Sequence, residues 1–242
     1  KRLMYYWLET HNFPHADTYV FYRKKEYFEF IEHYNNFPLI YKSNIGAKSS
    51  GVKLIKTKKM GKMIGRKIFG RFASLSLTKG YTPVKSGKII PVTAVGMIEK
   101  HTLLIQKFEK IKWEWRMVRI GNSYFGHKKL LKGNFASGTH LKGWGKPPEK
   151  LLNLLKNLID KGNFYSMAVD IFETEDGRFL INELQSIFGQ PTKNLMLIDD
   201  KPGRYIFKDN QFIFEEGEFN EHHSFKLRVK HFIEILNGDE KE

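Results

Sequence analysis

The run AVDIFETEDGRFLINELQ, residues 168–185, constrains the fold of this chain most. Its two halves are rich in β-branched and aromatic residues, and the Asp176-Gly177 step between them is a hairpin signal, so the segment reads as two antiparallel strands. A hairpin inside a domain should be apolar on its covered face, yet this one carries carboxylates and amides. Side chains alternate along a strand. With an even number of residues in the loop, Asp170 on the first strand shares a face with Ile181, Glu183 and Gln185 on the second, and Asn182 points the other way. Two carboxylates and an amide then line up. Such oxygen donors suit Mg²⁺, which is commonly held through one or two carboxylates plus substrate phosphates. A polar, solvated hairpin face is the plainer alternative.

At 242 residues the chain is long enough to bury a core and suits one large domain or two lobes. It has no Cys, which removes disulfides and Cys-based metal or redox chemistry and fits a reducing compartment. No apolar run approaches the roughly 20 residues of a membrane helix, and no signal peptide is visible, so a soluble, cytoplasmic protein is expected. Because the first residue is Lys, a fragment with further chain upstream is also expected. Forty-one Lys and Arg against 26 Asp and Glu give a net charge of +15, a field that attracts phosphates and other polyanions. The basic excess lies in residues 42–89, whereas 209–221 is acidic. No RNP motif, zinc finger or basic zipper is present, which argues against nucleic acid as the partner.

Periodicity predicts helices over 24–35, 57–73, 148–161 and 224–236, and strands over 37–43, 51–57, 102–108, 114–120 and 123–131. Alternating elements with mainly antiparallel pairs make an α+β chain. The segment FPLIYKSNIGAKSSGV is a strand, a small-residue loop and a strand. Gly46, Ser49, Ser50 and Gly51 would let backbone N–H groups close on an anion, with Lys42 and Lys48 adding charge. It is not a Walker A sequence, and a plain hairpin turn is the simpler reading. Further on, LLIQKFEKIKWEWRMVRIG ends one strand at Gln106, Lys107, Phe108 and Glu109 and opens another in which alternation puts Glu114 and Arg116 on one face and Arg119 on the other.

Taken in order, FPLIYKSNIGAKSSGV, LLIQKF, EWRMVRIG, FASGTHLKGW and AVDIFETEDGRFLINELQ resemble the ATP-grasp superfamily, in particular its carboxylate-amine ligases such as the glutamate-adding and D-alanine-adding enzymes. The resemblance runs from about Phe37 to Gln190. It implies two α+β lobes with mainly antiparallel sheets and ATP held between them: residues 36–109 as the N-terminal lobe with a phosphate-binding flap, and 110–242 as the C-terminal lobe with the metal site and a closing helix. Residues 1–35 are expected as the tail of a preceding N-terminal domain and its linker.

The same resemblance implies roles. Lys42 looks like the strand lysine on nucleotide phosphate, and Ser43 to Gly51, with Ser49 and Ser50, like the flap over it. Gln106, Lys107 and Phe108 look like the hinge that holds adenine, with Glu109 or Glu114 on the ribose. Arg116 looks like the arginine facing the transferred phosphate. Where many ligases carry another arginine this chain has Ala136, and Lys128, Lys129, Lys132 and His140 are candidates to replace it, Lys129 being the one expected to act. Asp170 and Glu183 look like the Mg²⁺ carboxylates, with Glu183 bridging two ions. The common Glu-x-Asn is here Glu183-Leu184-Gln185, in which Gln185 can ligate through its carbonyl oxygen. The implied activity is ATP- and Mg²⁺-dependent: a carboxylate is activated as an acyl phosphate and joined to an amine, with a small-molecule or anionic polymer substrate. A phosphotransferase acting on a hydroxyl, or a basic non-catalytic polyanion-binding protein, are the alternatives. Met60, Met63, Ile64, Ile68 and Phe72 give the basic helix 57–73 an apolar side, expected to pack on its own domain. His222-His223 reads as surface, and Trp113, Trp115 and Trp144 as packing groups.

Overall fold

A computed structural model describes residues 1–44, 51–70, 81–83, 89–91, 101–133, 135–136, 141–189 and 192–238. The chain divides into two compact units, Lys1–Glu109 and Lys110–Glu242. Unit 1 contains α1 (Arg2–Thr10), β1 (Thr18–Phe21), α2 (Lys24–His33), β2 (Leu39–Lys42), β3 (Val52–Ile55), α3 (Lys58–Phe69), a hairpin of β4 (Tyr81–Pro83) and β5 (Ile89–Pro91), and β6 (Leu103–Lys107). Unit 2 contains β7 (Ile111–Ile120), β8 (Ser123–Lys129), β9 (Leu131–Lys132), β10 (Phe135–Ala136), β11 (Lys142–Gly143), α4 (Glu149–Gly162), β12 (Ser166–Thr174), β13 (Phe179–Gln185), β14 (Leu197–Ile198), β15 (Lys201–Lys208), β16 (Gln211–Glu216) and α5 (Phe225–Asn237).

In unit 1 an antiparallel sheet runs β1-β6-β2-β3. Leu39 and Tyr41 of β2, Ile55 of β3 and Leu103 and Ile105 of β6 form one core with Tyr27 and Ile31 of α2 and Ile68 and Phe69 of α3. The alternate residues Ile40, Lys42, Leu104 and Gln106 are buried too, so β2 and the adjoining part of β6 are covered on both faces. Residues 1–35, expected as a tail and linker, supply α1, α2 and the strand β1 of this unit.

Helix α3 packs through its glycines. Tyr27 Oη donates to the carbonyl of Gly61 at 2.8 Å, a Cβ on Gly61 would lie 2.6 Å from Ile31, and one on Gly65 would lie 2.4 Å from the Tyr27 ring. Two glycines four residues apart thus make the flat stripe on which α2 rests. The apolar side expected to pack does so through Met60, Ile64 and Ile68, whereas Met63 is 61% exposed and Phe72 lies outside the described residues.

In unit 2 the sheet runs β13-β12-β7-β8-β15-β14, with β11 added beside β8 and β16 beside β15, all antiparallel. Helix α4 ends at Asn163, which takes the left-handed conformation, and buries Leu151, Leu152, Leu155, Leu158 and Ile159. Arg119 of β7 pairs with Asp160 of α4, so the odd-numbered residues of β7 face this helix; Trp115 and Met117 are almost fully buried. Glu114 and Arg116 project from the opposite face, and register carries that face to Asp170 on β12 and Lys129 on β8. No helix among the described residues is long and apolar enough to cross a membrane.

Candidate functional site

The polar face of the unit 2 sheet gathers charge by register. Glu114 sits opposite Lys129, Arg116 opposite both His127 and Asp170, and Asp170 opposite Glu183. Lys129 Nζ is shared by two acids, donating to Glu114 Oε1 at 2.7 Å and contacting Asp170 Oδ2 at 2.6 Å. Arg116 Nη1 reaches both oxygens of Asp170 at 3.2 Å, and its Nη2 donates to Gln185 Oε1 at 2.5 Å. Glu114 Oε2 accepts from Asn182 Nδ2 at 2.8 Å. The result is a connected chain, Asn182–Glu114–Lys129–Asp170–Arg116–Gln185, across four strands.

The presence of Asn182 corrects the parity expectation. The pairing steps from Asp170↔Glu183 to Ile171↔Ile181, which leaves Asn182 as the extra residue of a β-bulge. Two successive residues of the bulged strand then oppose one on the partner, so Asn182 turns to the Asp170 side together with Glu183, and Ile181 moves to the other face. Nothing in the alternation of the strand signals this. The Glu183 carboxylate makes no hydrogen bond or ion pair with a described residue, whereas both Asp170 oxygens are engaged.

Burial sets the protonation of the cluster. Glu114 is held above the ordinary carboxylate range by burial and by the adjacent Asp170, against the pull of Lys129. Burial opposes the charge on Lys129, but Asp170 and Glu114 outweigh it and hold the ammonium above its usual value. His127, buried with Nδ1 3.0 Å from the Leu195 carbonyl, is pushed down to about 3 by burial and by the charge of Lys142, and is neutral. That bond to an acceptor-only group puts the proton on Nδ1. Neither His127 nor Lys142 carries a sequence pattern that singles it out. Lys142 lies on a two-residue strand too short for periodicity and joins the face only through its register with Lys129.

The residues expected to hold nucleotide fall into two groups. Lys42, at the end of β2, is buried and donates from Nζ to Tyr5 Oη at 3.0 Å. Gly51 has φ +78°, which glycine adopts without strain, and its carbonyl accepts from Ser43 N at 2.8 Å to close the base of the loop. Ser49 and Ser50 lie outside the described residues. Gln106 sits mid-sheet, paired with Thr18 on one side and Ile40 on the other, and its Nε2 donates to Thr18 Oγ1 at 3.0 Å. Lys107 N donates to the Asp17 carbonyl, and its ammonium lies 3.7 Å from Asp17 and 3.8 Å from Glu109. Phe108 and Glu109 follow the strand end. Glu114, one of two residues considered for the ribose, is buried between Lys129 and Asn182 in unit 2, while Glu109 ends unit 1.

The architecture is that of an ATP-grasp fold, as the ordered motifs implied. Among solved structures, the chain is similar to the RiPP-associated ATP-grasp ligase of Chryseobacterium gregarium, solved with ADP and a leader and core peptide, at 12% identity and a TM-score of 0.50 over 76% of this chain and 51% of that one. It is similar also to the RimK domain ATP-grasp protein of Sphaerobacter thermophilus, at 17% identity and a TM-score of 0.50 over 76% of this chain and 57% of that one. A third likeness is to the biotin carboxylase domain of the Hydrogenobacter thermophilus 2-oxoglutarate carboxylase, solved with MgADP and bicarbonate, at 10% identity and a TM-score of 0.50 over 74% and 37%. The chain spans about half the length of the first two. No family model matches it, and no curated protein matches it in sequence.

Proposed function

We propose that the protein is an ATP- and Mg²⁺-dependent ligase that activates a carboxylate as an acyl phosphate and joins it to an amine. The observation that carries this reading is the facing pair Asp170 and Glu183 on a sheet face that also holds Arg116 and Lys129, in a fold shared with proteins solved with ADP. The donor types suit Mg²⁺: Glu183 offers a carboxylate without a described partner, and the facing Asp170 carboxylate and Gln185 amide oxygen, held here by Arg116 and Lys129, would turn to the ion when it binds. Asp170 and Glu183 would hold the metal, with Gln185 as a neutral ligand. Bound there, Mg²⁺ would neutralise phosphate charge and orient the γ-phosphoryl group.

The chain's own residues supply the rest. Arg116 and Lys129 stabilise negative charge as the phosphoryl group moves to the carboxylate, so catalysis is positioning and charge stabilisation with no nucleophilic side chain. Glu114 and Asn182 keep Lys129 in place. On unit 1, Lys42 and the segment ending at Gly51 contact phosphate, and Phe108 and Glu109 contact adenosine. An acyl phosphate must be kept from water until the amine attacks. The +15 charge favours an anionic substrate.

A matrix of carboxylates and amines, read for ADP and inorganic phosphate, tests the proposal. Both products should appear together and require both substrates and Mg²⁺. ADP without free phosphate would indicate transfer to a hydroxyl, and no nucleotide turnover or binding would remove the enzyme reading.

A further inference from the structure

The strands of unit 2 order the polar face from acid to base. Glu183 and Gln185 stand on β13, Asp170 on β12, Arg116 and Glu114 on β7, Lys129 on β8, and Lys142 beyond it on β11, paired in register with Lys129. Neighbouring strands are about 4.8 Å apart, so Lys142 sits one strand further from the proposed metal carboxylates than Lys129 does. The inner cations have acids: Lys129 contacts Glu114 and Asp170, and Arg116 contacts Asp170. Lys142 has none among the described residues. Its Nζ donates to Thr192 Oγ1 at 2.7 Å and lies 5.6 Å from the centre of the Trp144 ring.

We propose that the Lys142 ammonium, held in place by Thr192, whose own hydroxyl proton goes to the Asn194 carbonyl at 3.0 Å, forms a subsite that receives the carboxylate to be phosphorylated, a reading that rests on the ligase assignment above. A partly buried ammonium without a counter-ion, beside a second cation, is unfavourable until an anion joins it. The order along the face supplies direction: the phosphoryl donor would lie at the Asp170 and Glu183 end, Arg116 and Lys129 lie in the middle, and the accepting oxygen is received at Lys142. Phosphoryl transfer then runs along one row, the carboxylate oxygen forming the new P–O bond as the bond to the β-phosphate oxygen breaks and ADP leaves. Burial, with Arg116 adding repulsion, pushes the Lys142 ammonium down to about 8, which agrees with the geometry. The charged and titratable groups that face it are Arg116 on β7 and Lys129 and the neutral His127 on β8.

The test is an NMR titration of the whole chain labelled with ¹³C at lysine Cε, with the Lys142 signal assigned by its loss in Lys142→Arg. Free protein should show one lysine titrating well below the others. Sodium acetate should raise that pKa by about one unit or more, as an opposite charge at contact distance does. If neither acetate nor inorganic phosphate moves the Lys142 signal, the subsite does not exist. If phosphate moves it and acetate does not, the carboxylate assignment is overturned in favour of a phosphoryl site. Lys142→Met, should it remain folded by circular dichroism, must lack the signal as Lys142→Arg does; retention of the low-titrating signal would show that another lysine carries it and would overturn the proposal. None of these readings uses nucleotide, so absence of ADP formation in the wild type would strike the ligase reading alone.

Discussion

Replacing Lys129 by Met removes one ammonium from between two buried acids and keeps an unbranched side chain of similar length. The side chains of Lys129, Glu114 and Asp170 are 10%, 6% and 4% exposed, so solvent screens little of the interaction. Without Lys129, Asp170 retains Arg116, but Glu114 retains only the Asn182 amide and faces Asp170. Breaking a buried pair in this way costs about 3–5 kcal/mol when the orphaned charge stays ionised. Glu114 has a way out, because its folded pKa is already raised and loss of Lys129 raises it further. The sign follows from linkage. A carboxyl bound more tightly to its proton in the fold than in the unfolded chain makes stability fall as pH rises from the unfolded pKa to the folded one. Lys129→Met should therefore be most destabilised at the alkaline end and recover as pH falls towards 5. Urea unfolding between pH 5 and 8 measures it, with an unchanged m-value confirming that the compactness of neither state has altered. Adding Glu114→Gln removes the orphaned acid and should restore about 1–3 kcal/mol at pH 8, a coupling of the size that contacting residues show. A loss below about 1 kcal/mol at pH 8, a pH-independent loss, or strict additivity in the double variant would refute the shared-ammonium arrangement.

Other outcomes follow from the same contacts. Glu183→Gln should abolish ADP formation while changing stability by no more than about 0.5 kcal/mol, because Glu183 has no described partner. Asp170→Asn should abolish it and also destabilise the fold, since Arg116 and Lys129 both rest on that carboxylate; normal turnover in either variant counts against the metal assignment. Gly65→Ala, which would gain roughly 1 kcal/mol of helix propensity at an exposed position, should instead lose about 1–3 kcal/mol in denaturant melts because its Cβ meets the Tyr27 ring at 2.4 Å. Random RNA or DNA should bind weakly and release by moderate salt in a filter or anisotropy assay, whereas tight, salt-resistant binding would point to a nucleic-acid role for the +15 charge.

The elements that the sequence announces best are those whose pattern answers to one constraint. Helix α4, with leucines at 151, 152, 155 and 158 behind Pro147-Pro148, and the hairpin around Asp176-Gly177 show their spacing and stop signals directly. Helix α3 is legible as a helix, and Met60, Ile64 and Ile68 mark the side that packs. What spacing does not announce is the stripe through Gly61 and Gly65 beside them, where only a bare backbone admits Tyr27 and Ile31 so closely. Gln106 is singled out by its place in an ordered series, while its neighbours are not legible: β1 and β2 flank it in the sheet and its Nε2 donates to Thr18, pairings that join distant parts of the chain.

The candidate site shows where alternation stops being informative. Glu114 and Arg116 share a face by parity, and register extends that face to Lys129 and Asp170 without any irregularity. The step at Asp170 breaks the rule once, and that one residue changes which amide serves which acid. Had β13 remained regular, Asn182 would point away, and Glu114 would have had Lys129 as its sole polar partner. With the bulge, Asn182 caps the second oxygen of Glu114, leaving Lys129 free to lean towards Asp170 as well. A bulge needs no residue type that marks it in advance, since its cost is local and its return lies in contacts across the sheet. Asn182→Ala is the direct probe of that return. It leaves a buried carboxylate oxygen short of a donor, which costs about 1–3 kcal/mol, and it should lower turnover beyond what the stability loss explains by letting Lys129 settle on Glu114. Unchanged turnover in a variant that shows the full stability loss would separate the bulge from the chemistry and leave it a purely structural device.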